Sequence, residues 1–248
     1  MPEYIEGRNP VIECLKAGRR VEKIWLVRGA RGPSRREIEE LASKKGVPVL
    51  TVDKREIDRI AQSRAHQGVV AVVAPREYVE VQDLLQKARV RNEAPLLLML
   101  DGIEDPRNLG AIIRTADAAG VHGVIIRKKR SVGVTTAVVK ASAGAVEYVL
   151  ISRVANLVQV ARELKKEGLW VIGAVPDGAL YWETDLTGPL VVVIGSEGKG
   201  ISRLLKEECD FLVRMPMKGG AGSLNASVAA GAIVYEVLRQ RYQVAGRA

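Results

Sequence analysis

The residues with the most chemical potential sit beside glycines or at helix starts. In Gly195-Ser-Glu-Gly-Lys-Gly200 a single carboxylate, Glu197, lies in a glycine loop directly after the apolar run Leu190 to Ile194. Glycine loops at strand ends of parallel sheets are where nucleotide-like ligands bind, although a plain structural turn has the same composition. Glu197 would either accept backbone amides and hold the loop or orient a substrate, with direct general-base action a lesser option. Arg114 stands among Ile112, Ile113, Thr115 and Ala116, and a cation in such company needs an anionic partner. That partner is an internal carboxylate or a substrate phosphate, which the planar guanidinium matches bidentately. With a pKa above roughly 12 it is a poor base, so its chemistry would be electrostatic stabilisation of a developing oxyanion. Asn108, Ser223 and Asn225 fall where helices are expected to begin. Each reads as a cap, and the helix start holding Ser223 and Asn225 is also a favourable place for a phosphate or carboxylate.

Other chemistries lack their residues. The two histidines, His66 and His122, have no second ligand at metal spacing, which argues against a zinc site. Lys140-Ala-Ser-Ala-Gly144 lacks the first glycine of a GxSxG elbow. The glycine loop fits neither GxxxxGK[ST] nor GxGxxG, which disfavours a dinucleotide-dependent oxidoreductase. Cys14 and Cys209 form no CxxC pair and read as reduced thiols of a cytoplasmic protein. The chain shows neither a secretory signal nor an apolar run of the roughly 18 residues that suggest a membrane span. A net charge of +9 over 248 residues favours polyanionic partners. Aromatic residues are only 4%, so base stacking on an aromatic sheet is not expected and phosphate and ribose contacts must dominate.

The elements that must position these residues alternate along the chain. Asn9-Pro10 reads as the start of a helix ending at Gly18, and Val21 to Val27 as a strand. Ser34 with Glu37, and Asp53 with Glu56, have capping-box spacing. Val47 to Val52 and Val69 to Ala74 are strands, which makes residues 1–78 a small α/β domain. Residues 79–93 are charged and only weakly periodic, and read as a linker with some helical character. Strands follow at Leu96–Leu100, Gly123–Arg127, Val146–Ile151, Trp170–Val175, Leu190–Ile194 and Phe211–Met215. Helices are expected near 108–119, 135–144, 153–167, 200–208 and 225–240. Repeated β-α units predict a parallel sheet covered on both faces over residues 94–248.

Three segments taken together are far more specific than any one of them. They are Leu100-Asp-Gly-Ile-Glu-Asp-Pro-Arg-Asn-Leu-Gly-Ala-Ile-Ile-Arg-Thr-Ala116, then Val191-Val-Val-Ile-Gly-Ser-Glu-Gly-Lys-Gly-Ile-Ser202, then Arg214-Met-Pro-Met-Lys-Gly-Gly-Ala-Gly-Ser-Leu-Asn-Ala-Ser-Val-Ala-Ala-Gly231. In order and spacing they closely resemble the three motifs of the SpoU (TrmH) family of RNA ribose methyltransferases, over Leu96 to Arg241. Gly7-Arg-Asn-Pro10, Trp25 and His66-Gln-Gly-Val69 resemble that family's substrate-binding N-terminal domain, which is similar to a ribosomal-protein fold. The pair looks most like the branch that methylates guanosine 2′-oxygens in 23S rRNA.

The resemblance implies a SPOUT-type α/β domain with a trefoil knot, active as a homodimer. It implies transfer of a methyl group from S-adenosylmethionine to a ribose 2′-hydroxyl of RNA without a metal. Asn108, Arg114, Glu197, Ser223 and Asn225 would form the catalytic set. Gly173, Ala174, Gly195, Gly198, Met215 and Leu224 would hold the methyl donor. Some of the N-terminal cations Arg8, Arg19, Arg20, Lys23, Arg28, Arg31, Arg35 and Arg36 would contact the RNA backbone. Alternatives are a transfer-RNA ribose methyltransferase and a non-catalytic RNA-binding protein on the same fold.

Overall fold

The computed structural model describes residues 3–29, 32–61, 63–220 and 222–246; Arg31, among the candidate RNA contacts, lies outside them. The chain forms two compact units. One comprises Met1–Glu77 with Val134–Tyr148, the other Tyr78–Gly133 with Val149–Ala248.

The first unit begins with β1 (Glu3–Glu6), α1 (Arg8–Lys16), β2 (Val21–Val27), α2 (Pro33–Lys44), β3 (Val49–Val52), α3 (Lys54–Ile60) and β4 (Val69–Val73). Its sheet order is β1-β4-β2-β3, with β2 and β3 parallel and the other pairs antiparallel. All five residues of β4 are buried, as its continuous β-branched run requires of a central strand. Local caps differ from expectation. Helix α1 starts after Gly7 rather than at Asn9, and neither Ser34 nor Asp53 makes a side-chain cap bond. The glycines Gly7 and Gly32, at φ 96 and 123, turn the chain into α1 and α2 instead.

In the second unit residues 79–93 are not a linker. They form α4 (Val81–Arg91), opened by a Glu80–Asp83 capping box and burying Leu84, Leu85 and Ala88. Then come β5 (Leu96–Asp101), α5 (Pro106–Ala118) and β6 (Gly123–Arg127). Helix α6 (Thr136–Ala141) and the 3-10 turn Ala145–Glu147 belong with the first unit. The strand expected at Val146–Ile151 is therefore this turn, followed by β7 (Ile151–Val154). Glu147 explains why the segment groups with the first unit: its buried carboxylate pairs with Arg19 at 3.1 Å and Arg76 at 2.6 Å, and Arg19 also pairs with Glu3. Thr136 Oγ1 adds a bond to the Tyr4 carbonyl at 3.1 Å.

The second unit closes with α7 (Leu157–Lys166), β8 (Trp170–Leu180), β9 (Leu190–Gly195), α8 (Arg203–Glu207), β10 (Phe211–Arg214) and α9 (Ala226–Ala245). Its six strands are all parallel, in the order β10-β8-β9-β5-β6-β7. Every residue of β5 is buried. Leu97 and Met99 join Val191, Val193, Ile125 and Val171 in the main core cluster, where each side chain of this kind contributes roughly 1.5–3 kcal/mol. Strands β6 and β7 succeed β5 on one side, while β9 and β8 lie on the other. The order thus reverses between β5 and β9, and in an open α/β sheet the ligand crevice forms outside the carboxyl ends at such a point.

Candidate active site

The carboxyl ends of β5 and β9 lie side by side, Asp101 in register with Gly195. Asp101 is buried and its Oδ2 accepts the Ser202 amide at 2.8 Å, while Oδ1 meets Arg127 Nη1 at 3.3 Å. The glycine loop is thereby held at its far end. At its near end Ser196 and Gly200 exchange backbone bonds of 3.2 and 2.8 Å. A Cβ on Gly195 would stand 2.1 Å from the Gly200 carbonyl carbon, so only glycine allows this closure. The residues between, Glu197 to Lys199, line a cavity.

Glu197 is the centre of a polar cluster. Its Oε1 accepts Asn108 Nδ2 at 2.9 Å, Asn225 Nδ2 at 2.5 Å and the Ala226 amide at 3.4 Å. Asn225 Nδ2 also reaches Asn108 Oδ1 at 2.9 Å. Asn225 caps α9 as well, its Oδ1 accepting the Ser227 and Val228 amides. Asn225 therefore caps α9 and bonds Glu197 and Asn108 at the same time. Asn108 is no cap: Asp105 takes that position, accepting the Arg107 amide at 2.8 Å, with Pro106 next. This moves the start of α5 back and frees the Asn108 amide for Glu197.

Ser223 is exposed, lines the cavity and caps nothing. Arg114 is exposed on α5, and no hydrogen bond or ion pair engages it among the described residues. The internal salt bridge that its apolar neighbours suggested does not form. Those neighbours turn inward, Ile112 and Ile113 being fully buried, while the arginine lies on the opposite face of the helix.

The cavity has a volume of about 680 Å³. Ala174, Gly195, Gly198, Met215 and Leu224 line it, with Ile194, Val175 and Ala229 adding apolar wall. Gly173 does not line it. A Cβ there would meet Cys209 Sγ at 2.8 Å and Leu212 at 3.0 Å, so this glycine serves packing between β8 and its neighbours. Two cations, Lys199 and Arg214, also line the cavity, and neither side chain is in an ion pair among the described residues. Sequence reasoning passed over Arg214 and Asp101 although both lie inside the motif segments. A charged residue ending an otherwise apolar strand was the available signal for each. Among the described residues, no group of three or more His, Cys, Asp or Glu is arranged to hold a metal ion.

In the first unit the two N-terminal motifs meet. The Arg8 amide bonds Gln67 Oε1 at 3.1 Å and the Gly7 amide bonds the Val69 carbonyl at 3.1 Å, because β1 pairs with β4. His66 is buried with Nε2 2.9 Å from Asp58 and Nδ1 accepting the Gly68 amide at 3.0 Å. Arg19 is committed to the Glu3 and Glu147 pairs and is not a free surface cation. Arg28 and Arg35 pair with Asp53 and Glu39, and Lys23 lies 4.8 Å from the Trp25 ring centroid. Arg20 and Arg36 are exposed and, among the described residues, no ion pair engages either.

Comparison with known proteins finds two family matches along the chain. Residues 95–235 match the SpoU rRNA Methylase family and residues 4–79 match the domain described as RNA 2′-O ribose methyltransferase substrate binding. A methylase fold with a substrate-binding domain ahead of it defines the class: an RNA methyltransferase directed at ribose. The chain belongs to the SpoU (TrmH) family of RNA 2′-O ribose methyltransferases. The Bacillus subtilis (strain 168) protein YacO, named for the TrmH family of tRNA/rRNA methyltransferases, is 47% identical over 98% of this chain and 97% of its own. The SpoU methyltransferase AviRb of Streptomyces viridochromogenes, crystallised with AdoMet, superposes with a TM-score of 0.81 at 27% identity, covering 97% of this chain and 90% of its own. An AdoMet-bound rRNA methyltransferase from Sinorhizobium meliloti gives 0.78 at 28% identity, covering 96% and 87%. The parallel-sheet unit accordingly has the SPOUT fold.

Proposed function

We propose that this enzyme methylates the ribose 2′-hydroxyl of a guanosine in 23S rRNA, as the RlmB branch of the family does, using S-adenosylmethionine and acting in the cytoplasm. The observation that carries the reading is the Asn108–Glu197–Asn225 cluster, whose Glu197 lines a cavity of matching chemistry. S-adenosylmethionine needs an apolar slot for adenine, exposed backbone for its polar edges and an anionic or polar surround for its sulfonium. The cavity supplies apolar walls from Met215 and Leu224, bare backbone at Gly198 and Gly222, and the Glu197 carboxylate. Ala174, Gly195, Gly198, Met215 and Leu224 would hold the donor, and Arg214 or Lys199 would take its carboxylate. Bound there, it supplies an electrophilic methyl group, so the chemistry calls for no metal.

The protein's own residues then bind and orient. Glu197, fixed by the two asparagine amides, accepts a hydrogen bond from the substrate or orients the arginine. Arg114, unpaired and permanently charged, takes the substrate phosphate and stabilises the developing 2′-oxyanion. Ser223, just ahead of the N-terminus of α9, is placed to meet a phosphate oxygen. A homodimer would bring these groups together across a two-fold axis. The exposed residues Val228, Tyr235 and Tyr242, spaced by seven along α9, offer an apolar stripe for such a contact. We assign residues 1–78 to RNA substrate binding and 94–248 to catalysis.

Transfer RNA is the second reading, since YacO carries both substrates in its name. Ribosomal RNA is favoured because the substrate-binding domain is present and the Sinorhizobium rRNA enzyme spans 96% of the chain. Mapping 2′-O-methyl sites in total RNA from cells with and without this protein tests both. Loss of one guanosine site in 23S rRNA is expected; loss of a tRNA site alone would overturn the rRNA assignment.

A further inference from the structure

The catalytic unit carries a second cluster of charge that none of the family motifs includes. Strand β6 runs out into Arg127-Lys-Lys-Arg130, four consecutive cations. Arg127 is half-buried and committed to Asp101. Lys128, Lys129 and Arg130 are exposed, and among the described residues no side-chain hydrogen bond or ion pair engages any of them.

This run is not a loose surface loop. The Lys128 amide donates to the Val154 carbonyl at 2.8 Å, and the Lys128 carbonyl accepts Arg153 Nη2 at 3.1 Å, fixing one end to β7. The Val132 amide and Ser131 Oγ donate to the Ile103 carbonyl at 2.9 and 3.2 Å, fixing the other to the segment after β5. Arg130 itself sits at φ 57, in the left-handed region that a side chain adopts at a cost of about 1 kcal/mol or more. Three like charges held in a fixed, strained turn repel one another, and among the described residues no ion pair offsets that repulsion. A polyanion would. The segment carrying Ile103 continues through Asp105 and Pro106 to Asn108, so the basic turn is bonded to the same loop that delivers the active-site asparagine.

We propose that Lys128, Lys129 and Arg130 form a phosphate-binding turn of the catalytic unit, gripping the RNA backbone next to the nucleotide being methylated. This rests on the RNA methyltransferase reading and adds a contact separate from the N-terminal substrate-binding domain. A turn already ordered by backbone bonds loses little freedom on binding, which favours affinity. Point charges on lysine read no bases, so the contact positions RNA without choosing its sequence.

The test uses the full-length protein and an in vitro transcript of 23S rRNA. The double variant Lys128→Gln/Lys129→Gln should raise KM for RNA several-fold with kcat at saturating RNA within about twofold. The slope of log affinity against log salt should become shallower by about 0.7–0.9 for each phosphate that is no longer neutralised. Lys128→Arg/Lys129→Arg, which keeps the charge, should restore both. An unchanged KM and salt slope in the glutamine variant, with wild-type protein binding and methylating normally, overturns the phosphate-binding turn alone. Wild-type protein that neither binds nor methylates RNA would instead overturn the underlying reading.

Discussion

Asn108 and Glu197, 89 residues apart, share a 2.9 Å hydrogen bond that joins the first turn of α5 to the loop after β9 across the point where the strand order reverses. Asn225 completes the arrangement by donating to the same carboxylate oxygen. Because Glu197 also accepts the Ala226 amide, the carboxylate ties the start of α9 to the start of α5. Glu197→Gln retains one acceptor oxygen but removes the charge that strengthens three N–H donors. Hydrogen bonds to charged groups are worth about 1.5–3 kcal/mol. The methyl-transfer rate should therefore fall by about 10- to 100-fold while the thermal midpoint moves by only a few degrees. Full activity would show that the carboxylate merely fills space.

Arg114 gives a cleaner separation of chemistry from folding. Being exposed and, among the described residues, unpaired, it should contribute within about 0.5 kcal/mol to stability. Arg114→Ala should nevertheless slow methyl transfer by about 100-fold or more, the scale of losing one preorganised charge stabiliser. Arg114→Lys should stay impaired, since it keeps the charge without the bidentate fork. Steady-state kinetics with S-adenosylmethionine binding measured in parallel decides this. An unimpaired alanine variant removes Arg114 from the active centre.

Gly195→Ala tests the closure of the glycine loop. The added methyl has to displace the backbone at Gly200, 2.1 Å away, and backbone displacements of this kind typically cost about 1–3 kcal/mol. Cofactor affinity, read by calorimetry, should drop together with stability. Gly198→Ala is the control, because among the described residues nothing lies within 4 Å of a Cβ at that position. It should be folded, so a loss of binding there reports blocking of the cavity itself.

His122 supplies a pH dependence. It is buried, with Nδ1 accepting the Leu96 amide at 3.0 Å and Nε2 3.0 Å from Glu93. Burial holds its pKa below the ordinary histidine value, against the partial opposition of Glu93. The folded protein thus binds fewer protons here than the unfolded chain. Stability from this group is present above about pH 6.5 and is lost as pH falls below it, towards the depressed folded value. Denaturant melts from pH 7.5 to 5 should show the decline, and His122→Asn should flatten it. A slope unchanged by that substitution would assign the effect to other groups.

Much of the second unit was legible from sequence. The runs at Leu96, Gly123 and Leu190 became strands because apolar residues that continuous must be buried on both faces, and only a parallel sheet under helices offers that. The motif segments likewise named Asn108, Glu197 and Asn225 by type and order. Local sequence misplaced what depends on distant partners. Residues 79–93 look like a charged linker until Leu84, Leu85 and Ala88 find the core, and 146–151 looks like a strand until Glu147 finds Arg19 and Arg76. Asn108 and Asn225 are alike by sequence, yet one caps a helix and the other does not, because Asp105 takes the first position before α5. Types and spacing along the chain determined which groups were available. Only the tertiary structure decided which of them touch, since a hydrogen bond across 89 residues depends on strand order and register and not on any neighbour in sequence.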